Sequence, residues 1–163
     1  MDREEAEAFQ DHYPEDVAHC YGCGRLNPHG HHVKTRWEGE ESVTRFTPEP
    51  HHTAIPGYVY GGLIASLVDC HATGTAAAVA ARAEGLGAGE GDQAGELPRF
   101  VTASLHVDYL RPTPLGPELE VRGRATEVTA RKVVVEARVL ANGQVTARGV
   151  VVAVRMPEGM TAR

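Results

Sequence analysis

The sequence predicts an α+β fold in which an antiparallel sheet wraps around one long helix. The helix is indicated by residues 61–81, which hold no lysine, arginine or glutamate and only one formal charge, Asp69. The sheet is indicated by the segment after residue 100, where apolar and polar residues alternate with a period of two. A single helix followed by strands that tight turns connect is typical of an α+β domain.

Upstream of the helix the sequence predicts little regular structure. We expect the polar residues 1–19 to form a frayed segment or a short helix outside the domain. Two short strands are predicted at residues 31–37 and 42–46, joined by a turn at residues 38–40 that contains glycine. A segment rich in proline and glycine, residues 56–62, then leads into the helix.

Downstream of the helix, residues 85–96 contain five glycines and predict a flexible loop. Four strands follow, predicted at residues 101–109, 119–125, 133–139 and 145–154. The dipeptide Asn142-Gly143 is a strong signal for a two-residue hairpin between the last two. Residues 150–152 are three valines, apolar on both faces, so we expect this strand to lie inside the sheet or under a second subunit.

Size and composition bound the class of protein. A chain of 163 residues has room for one domain with a real core, which we place at residues 20–156, followed by a tail at 157–163. The net charge of −6 argues against general binding to nucleic acids or anionic membranes. The acidic start precedes no apolar run, and three cysteines, an odd number, suit a reducing compartment. We therefore expect a cytoplasmic protein.

Residues 61–81 have the length of a membrane span but not its composition. Alanine, glycine, serine and threonine outnumber the large aliphatic residues, and Asp69 and His71 lie near the middle. Read at 100° per residue, one helix face is apolar and the opposite face is made of small residues, so we expect both faces to be buried. Asp69 lies on the small face, where burial of an unpaired carboxylate is costly. It is either a functional group or a structural one that hydrogen-bonds a neighbouring turn.

The glycine pair Gly61-Gly62 opens the predicted helix. Without a Cβ atom, glycine lets a substrate carbonyl approach the free N–H groups of a helix N-terminus, where the dipole favours negative charge. The alternative is that the glycines only make the turn. On one chain Gly62 and Asp69 would lie about 10 Å apart along the axis, too far to share one carbonyl, which favours a site completed by a second subunit.

Three elements together carry a family resemblance. They are Tyr60-Gly61-Gly62, Asp69 nine residues after Tyr60, and a strand that ends Tyr-Leu-Arg-Pro at residues 109–112. In this order and spacing the chain resembles the hotdog-fold acyl-CoA thioesterases of the phenylacetate-degradation type, over roughly residues 20 to 156. The Cys-x-x-Cys-Gly and Asn-Pro-x-Gly segment at residues 20–30 is similar to a subgroup of that family.

The resemblance implies a homodimer, or a dimer of dimers, that hydrolyses an acyl-CoA thioester without a cofactor. It places Asp69 of one subunit, as general base or nucleophile, opposite Gly61 and Gly62 of the other, with Thr102 helping to position the water. The chain departs from the family pattern at Tyr60, where the family usually has histidine, and at Ala54, where some members have asparagine. Backbone N–H groups and Asp69 would then carry more of the catalysis.

Coenzyme A carries phosphates, so a protein with a net negative charge would need a local cluster of basic side chains to bind it. The candidate contacts are Arg111, at the end of a strand, Arg131-Lys132, at the start of another, and His106 on a polar strand face. Each could equally be a solvated strand-end charge.

By residue type alone, Cys20 and Cys23 together with the histidines between residues 19 and 32 could form a Cys₂His₂ zinc site. The usual interval of about a dozen residues between the two ligand pairs is missing, so we expect no metal. His51, His52 and His71 are either active-site helpers or ordinary surface and core residues.

Two other functions on the same fold compete with thioester hydrolysis. Hydratases of this fold pair the helix aspartate with a histidine five residues later, where this chain has Gly74. A non-catalytic protein that binds acyl-CoA or another small ligand is favoured by the loss of the usual histidine, and intact Asp69 argues against it.

Overall fold

The computed structural model describes residues 7–86 and 96–160. Two 3₁₀ helices come first, Phe9–His12 and Glu15–Val17. The long helix α1 and six strands follow in chain order: β1 Thr35–Glu38, β2 Glu41–Phe46, α1 Gly61–Ala83, β3 Phe100–Tyr109, β4 Leu119–Val128, β5 Lys132–Ala141 and β6 Gln144–Arg155.

The strands form one sheet in the order β1-β2-β4-β5-β6-β3, and all neighbouring pairs are antiparallel. Helix α1 packs against every strand of this sheet. One long helix wrapped by an antiparallel sheet is the α+β hotdog arrangement, which confirms the predicted fold class. The predicted interior position of β6 is also confirmed, since it lies between β5 and β3.

Two hairpins follow directly from turn chemistry. Gly39 has a φ of +64° between β1 and β2, a backbone region that glycine enters at little cost. Asn142 and Gly143 have φ values of +52° and +74°, the two positive angles that a type I′ turn requires. That turn pairs Ala141 with Gln144 and so sets the register of β5 and β6.

The two halves of helix α1 differ in burial. Every residue from Cys70 to Ala81 is buried except Val79, as predicted for both faces. In the first half only the sheet-facing residues are buried, and the small face remains half-exposed at Gly62, Ala65, Ser66 and Asp69. The helix is long and apolar enough to span a membrane by length and composition, yet 78% of that apolar stretch is buried inside the domain, as in a core helix.

The amino-terminal segment forms short helices, one of the two predicted alternatives, but it belongs to the core instead of lying outside the domain. Phe9 is buried with its ring 5.2 Å from that of Trp37, and Tyr13 is also buried. Gln10 accepts a 2.8 Å hydrogen bond from the backbone N–H of Thr35, the first residue of β1. The predicted position outside the domain was wrong because two aromatic residues among polar ones show no periodicity that would mark a buried face. Residues 1–6, most of the predicted loop (87–95) and the end of the tail (161–163) lie outside the described residues.

His71 is fully buried between helix α1 and the sheet. Its Nε2 lies 3.1 Å from Ser42 Oγ, and its Nδ1 lies 2.8 Å from Thr44 Oγ1. Burial lowers the pKa of His71 to about 3, so the imidazole is neutral at physiological pH. Of the two roles open for this histidine, the core role fits these contacts.

We expect His71→Ala to destabilise the domain by about 2–4 kcal/mol, because it leaves a cavity and removes an acceptor from a buried hydroxyl. Urea unfolding measures this change. His51→Ala is the matched control, since the His51 side chain is 70% exposed, and should shift the unfolding free energy by less than about 0.5 kcal/mol. Equal effects of the two substitutions would contradict a core role for His71.

Candidate active site

The glycine turn before helix α1 is anchored on two sides. The backbone N–H of Val59 donates to the Thr113 carbonyl at 2.9 Å, and that of Tyr60 donates to the His52 carbonyl at 2.9 Å. These bonds hold the start of the helix between the segment after β2 and the segment after β3.

Helix α1 begins without a side-chain cap. Tyr60 occupies the N-cap position and its side chain makes no capping hydrogen bond. The backbone N–H groups of Leu63 and Ile64 donate to the Tyr60 carbonyl at 3.1 and 3.3 Å, whereas the first N–H groups of a helix have no acceptor within it. The N–H groups of Gly61 and Gly62 are therefore available to a negatively charged or polarised oxygen.

Two tyrosines flank this turn. The Tyr109 hydroxyl, at the end of β3, donates a 2.6 Å hydrogen bond to the Gly61 carbonyl and so fixes the turn to the sheet edge. The Tyr60 ring is 58% exposed and lies over Gly62, where a Cβ atom would overlap it. Tyr60 thus covers the helix N-terminus. The contact of Tyr109 was not predicted, because alternation assigns a residue to a strand face but not to a partner 48 residues away.

A cavity of about 660 Å³ opens beside the helix N-terminus. On the helix side it is lined by Gly62, Leu63 and Ser66. The opposite wall carries aromatic and imidazole side chains that the sequence did not bring together: Tyr21, His29, His31, Phe46, His51 and His52.

The imidazole rings of this wall contact one another. The His31 and His52 ring centroids are 5.3 Å apart, and those of His51 and His52 are 4.3 Å apart. Burial, followed by the neighbouring His51, lowers the pKa of both His31 and His52. The lowered pKa favours the uncharged form of the His31 and His52 rings, in which each ring has one donor and one acceptor nitrogen.

Asp69 and Thr102 meet within one chain. The Thr102 hydroxyl donates a hydrogen bond to Asp69 Oδ1, joining the middle of α1 to the start of β3. Burial raises the pKa of Asp69, and the Thr102 hydrogen bond opposes that rise. Asp69 is a half-buried carboxylate with one oxygen held in place, which is an arrangement suited to a general base or a nucleophile.

The two halves of the predicted site do not meet within one chain. Asp69 does not line the cavity that touches Gly62. Asp69 lies seven positions after Gly62 on the helix, a rise of about 10 Å. A single chain therefore presents the carboxylate and the N–H groups as separate features.

The candidate coenzyme A contacts are dispersed. Arg111 is exposed just beyond β3, and His106 is exposed and lies 3.1 Å from Asp108 Oδ1. Arg131 and Lys132 line a second cleft of about 910 Å³ that also contains Glu84, the C-cap of α1. They lie at the opposite end of the helix from the glycine turn.

Strand β3 forms one edge of the sheet. Seven of its ten residues are exposed, namely every residue from Thr102 to Tyr109 except Val107, and they include the apolar Leu105. Tyr109 is 52% exposed, and Val150 on the neighbouring β6 is 38% exposed. An unpaired edge with apolar side chains is a template for pairing with another strand. This edge carries Thr102 beside Asp69.

Comparison with known proteins agrees with the fold and the motifs. The family described as the thioesterase superfamily matches residues 56–148. A thioesterase superfamily protein from Shewanella loihica PV-4 is 49% identical, with a TM-score of 0.66 over 86% of this chain and 96% of that one. No curated protein matches the chain in sequence.

Two more distant structures share the fold. The PaaI protein of the E. coli phenylacetic acid degradation operon is 13% identical, with a TM-score of 0.60 over 77% of this chain and 80% of its own. The smu.793 protein of Streptococcus mutans UA159, solved with acetyl-CoA bound, is 17% identical, with a TM-score of 0.58 over 76% of this chain and 88% of its own. The family match over more than half of the chain and the 49% identity establish that this protein belongs to the thioesterase superfamily.

Proposed function

We propose that this protein hydrolyses an acyl-CoA thioester to a free acid and coenzyme A, in sites shared between two subunits. The observation that carries the proposal is the half-buried Asp69, held by Thr102, on a helix whose first turn offers free N–H groups at Gly61 and Gly62. Membership of the thioesterase superfamily supports the reaction type, and the neighbour with bound acetyl-CoA supports the substrate class.

The helix N-terminus would stabilise the negative charge that develops on the thioester oxygen. The N–H groups of Gly61 and Gly62 would donate to that oxygen, and the helix dipole adds a favourable field. Tyr109 keeps the turn in place through its bond to the Gly61 carbonyl. Tyr60 lies over Gly62 and must move aside, or donate its own hydroxyl, when the carbonyl enters.

Asp69 would activate water or attack the thioester carbon directly. In either case the carboxylate must be ionised, and Thr102 leaves its second oxygen free for the reaction. If Asp69 is the base, it takes the water proton as hydroxide adds to the carbonyl, and collapse expels the coenzyme A thiolate. If it is the nucleophile, its attack on the thioester carbon expels the coenzyme A thiolate and forms an anhydride, which water then cleaves to the free acid and the Asp69 carboxylate.

A dimer formed through β3 accounts for the separation of the two features. Pairing of two β3 edges would cover exposed residues such as Leu105 and bring the half-exposed face of α1 towards a second chain. Asp69 of one subunit would then face Gly62 of the partner subunit. Arg111 and His106 would border the shared cleft, with Arg131 and Lys132 as more remote candidates for coenzyme A phosphates. No cofactor enters this scheme.

We expect Asp69→Asn to lower kcat at least a hundredfold on acyl-CoA substrates while the fold persists. The amide keeps an oxygen that accepts from Thr102 but can neither take a proton nor attack the thioester. Release of free thiol measures the rate, and circular dichroism checks the fold. Asp16→Asn, at an exposed aspartate in the second 3₁₀ helix, is the control and should retain normal turnover. A folded Asp69→Asn protein with near-normal kcat would remove Asp69 from the mechanism.

The non-catalytic alternative has one observation in its favour. The Tyr60 ring lies over Gly62, and Tyr60 stands where the family that the chain resembles usually has histidine. It predicts a wild-type protein that acyl-CoA stabilises thermally without any turnover. Hydrolysis that depends on Asp69 rejects this alternative.

Complementation tests the shared site. Asp69→Asn and Gly62→Val chains should each be inactive alone, the first without the carboxylate and the second with a blocked N-terminus. A mixed dimer regains one intact site, so random exchange of equal amounts should restore roughly a quarter of wild-type activity. Mass spectrometry of the intact complex verifies the exchange. Verified mixed dimers without activity would place the whole site in one chain.

A further inference from the structure

The three cysteines of the chain meet at one point beneath the cavity wall. Cys20 and Cys23 lie in the loop before β1, and Cys70 lies on helix α1 next to Asp69. Their Sγ atoms all lie within 4.8 Å of one another, and those of Cys20 and Cys70 are 3.9 Å apart. Among residues 7–86 and 96–160, these three thiols form a group of potential metal ligands that is close enough to share one ion.

We propose that Cys20, Cys23 and Cys70 bind one thiophilic metal ion, Zn²⁺, that fastens the Cys20–Cys23 loop to helix α1. Zn–S bonds of about 2.3 Å in a tetrahedron place two sulfur atoms about 3.8 Å apart, close to the separation of Cys20 and Cys70. Thiolate ligands select zinc and other soft ions over magnesium or calcium.

The loop is shaped to bring the sulfur atoms together. The Gly22 N–H donates to Cys20 Sγ at 3.3 Å, and the Gly24 N–H donates to the Cys20 carbonyl at 2.7 Å, which closes a tight turn around the first thiol. A Cβ atom at Gly22 would overlap Cys70 Sγ. Glycine at position 22 is therefore what allows the helix thiol to reach the loop.

The charges balance around a bound ion. Metal binding would release the thiol protons to solvent and leave three thiolates around Zn²⁺, a net charge of −1. The guanidinium of Arg99 lies close enough to favour the Cys23 thiolate and supplies the compensating positive charge. The fourth ligand would be a solvent molecule on the side of Cys20, the one cysteine of the three that is only half-buried.

The proposed site differs from the expectation of no metal, which considered histidines near Cys20 and Cys23 as the remaining ligands. The third thiol comes instead from Cys70, 50 residues away on the helix. The ion would be structural, since the same loop carries Tyr21 and His31 into the cavity wall. Its loss should loosen that wall relative to Asp69.

The test uses the reduced full-length protein with Co²⁺ as a spectroscopic probe and Zn²⁺ as the competitor. We expect one Co²⁺ per chain, with the near-ultraviolet absorption of cobalt–thiolate bonds, and its displacement by one Zn²⁺. Because the chain has three cysteines in all, a thiol reagent should find three reactive groups in the metal-free denatured protein and far slower reaction in the folded zinc form. Zinc should also raise the thermal unfolding temperature.

Variants localise the ion. Cys70→Ser and Cys20→Ser should each weaken cobalt binding at least a hundredfold, and the second is the safer variant for folding because Cys20 is half-exposed. His29→Ala, which removes an exposed histidine of the same loop, should bind cobalt as the wild type does. Three outcomes would overturn the proposal: no metal bound by the reduced protein, tight binding that survives loss of Cys70, or a Cys20–Cys70 disulfide as the stable state with no metal affinity after reduction.

Discussion

Burial of helix α1 is the constraint on which the rest of the structure depends. From Cys70 to Ala81 the helix carries no aspartate, glutamate, lysine or arginine, and every residue except Val79 is buried beneath the sheet. Six antiparallel strands with tight connections provide that cover, and the buried His71 finds its hydrogen bonds in β2. The uncovered first half of the helix is where Asp69 and the glycine turn lie.

The half-exposed face in the first half of α1 lies next to the exposed edge of the sheet. The half-exposed small face of α1 and the unpaired edge of β3 adjoin each other, because Thr102 on β3 hydrogen-bonds Asp69. A surface that lacks cover in one chain and carries a half-buried carboxylate is suited to a site completed by a second copy. The cavity beside Gly62, with its imidazole wall, supplies a separate compartment on the same helix.

The sequence predicts strands, turns and the long helix, because these depend on patterns within a few residues. It does not predict contacts between segments that are distant in the chain. Alternation placed β3 to β6, and Asn142-Gly143 placed their last hairpin, because period and turn chemistry are encoded within a few residues. The resemblance to a known family assigned Asp69 and Thr102 to one site, with Thr102 positioning water, but it did not predict the hydrogen bond between them. No short-range pattern in the sequence predicts that Phe9 joins the core or that Cys70 contacts Cys20. Both contacts form only when distant segments of the chain pack against the helix.

The central claim is that one thioester is handled by Asp69 of one subunit and the glycine turn of another. A crystal structure with a non-hydrolysable acyl-CoA analogue tests it most directly. The account predicts a dimer paired through β3, with the carbonyl oxygen of the analogue within hydrogen-bond distance of the Gly61 or Gly62 N–H of one chain. Asp69 of the other chain should face the carbonyl carbon. An analogue whose carbonyl lies away from both features, or a dimer that leaves β3 unpaired, would contradict it.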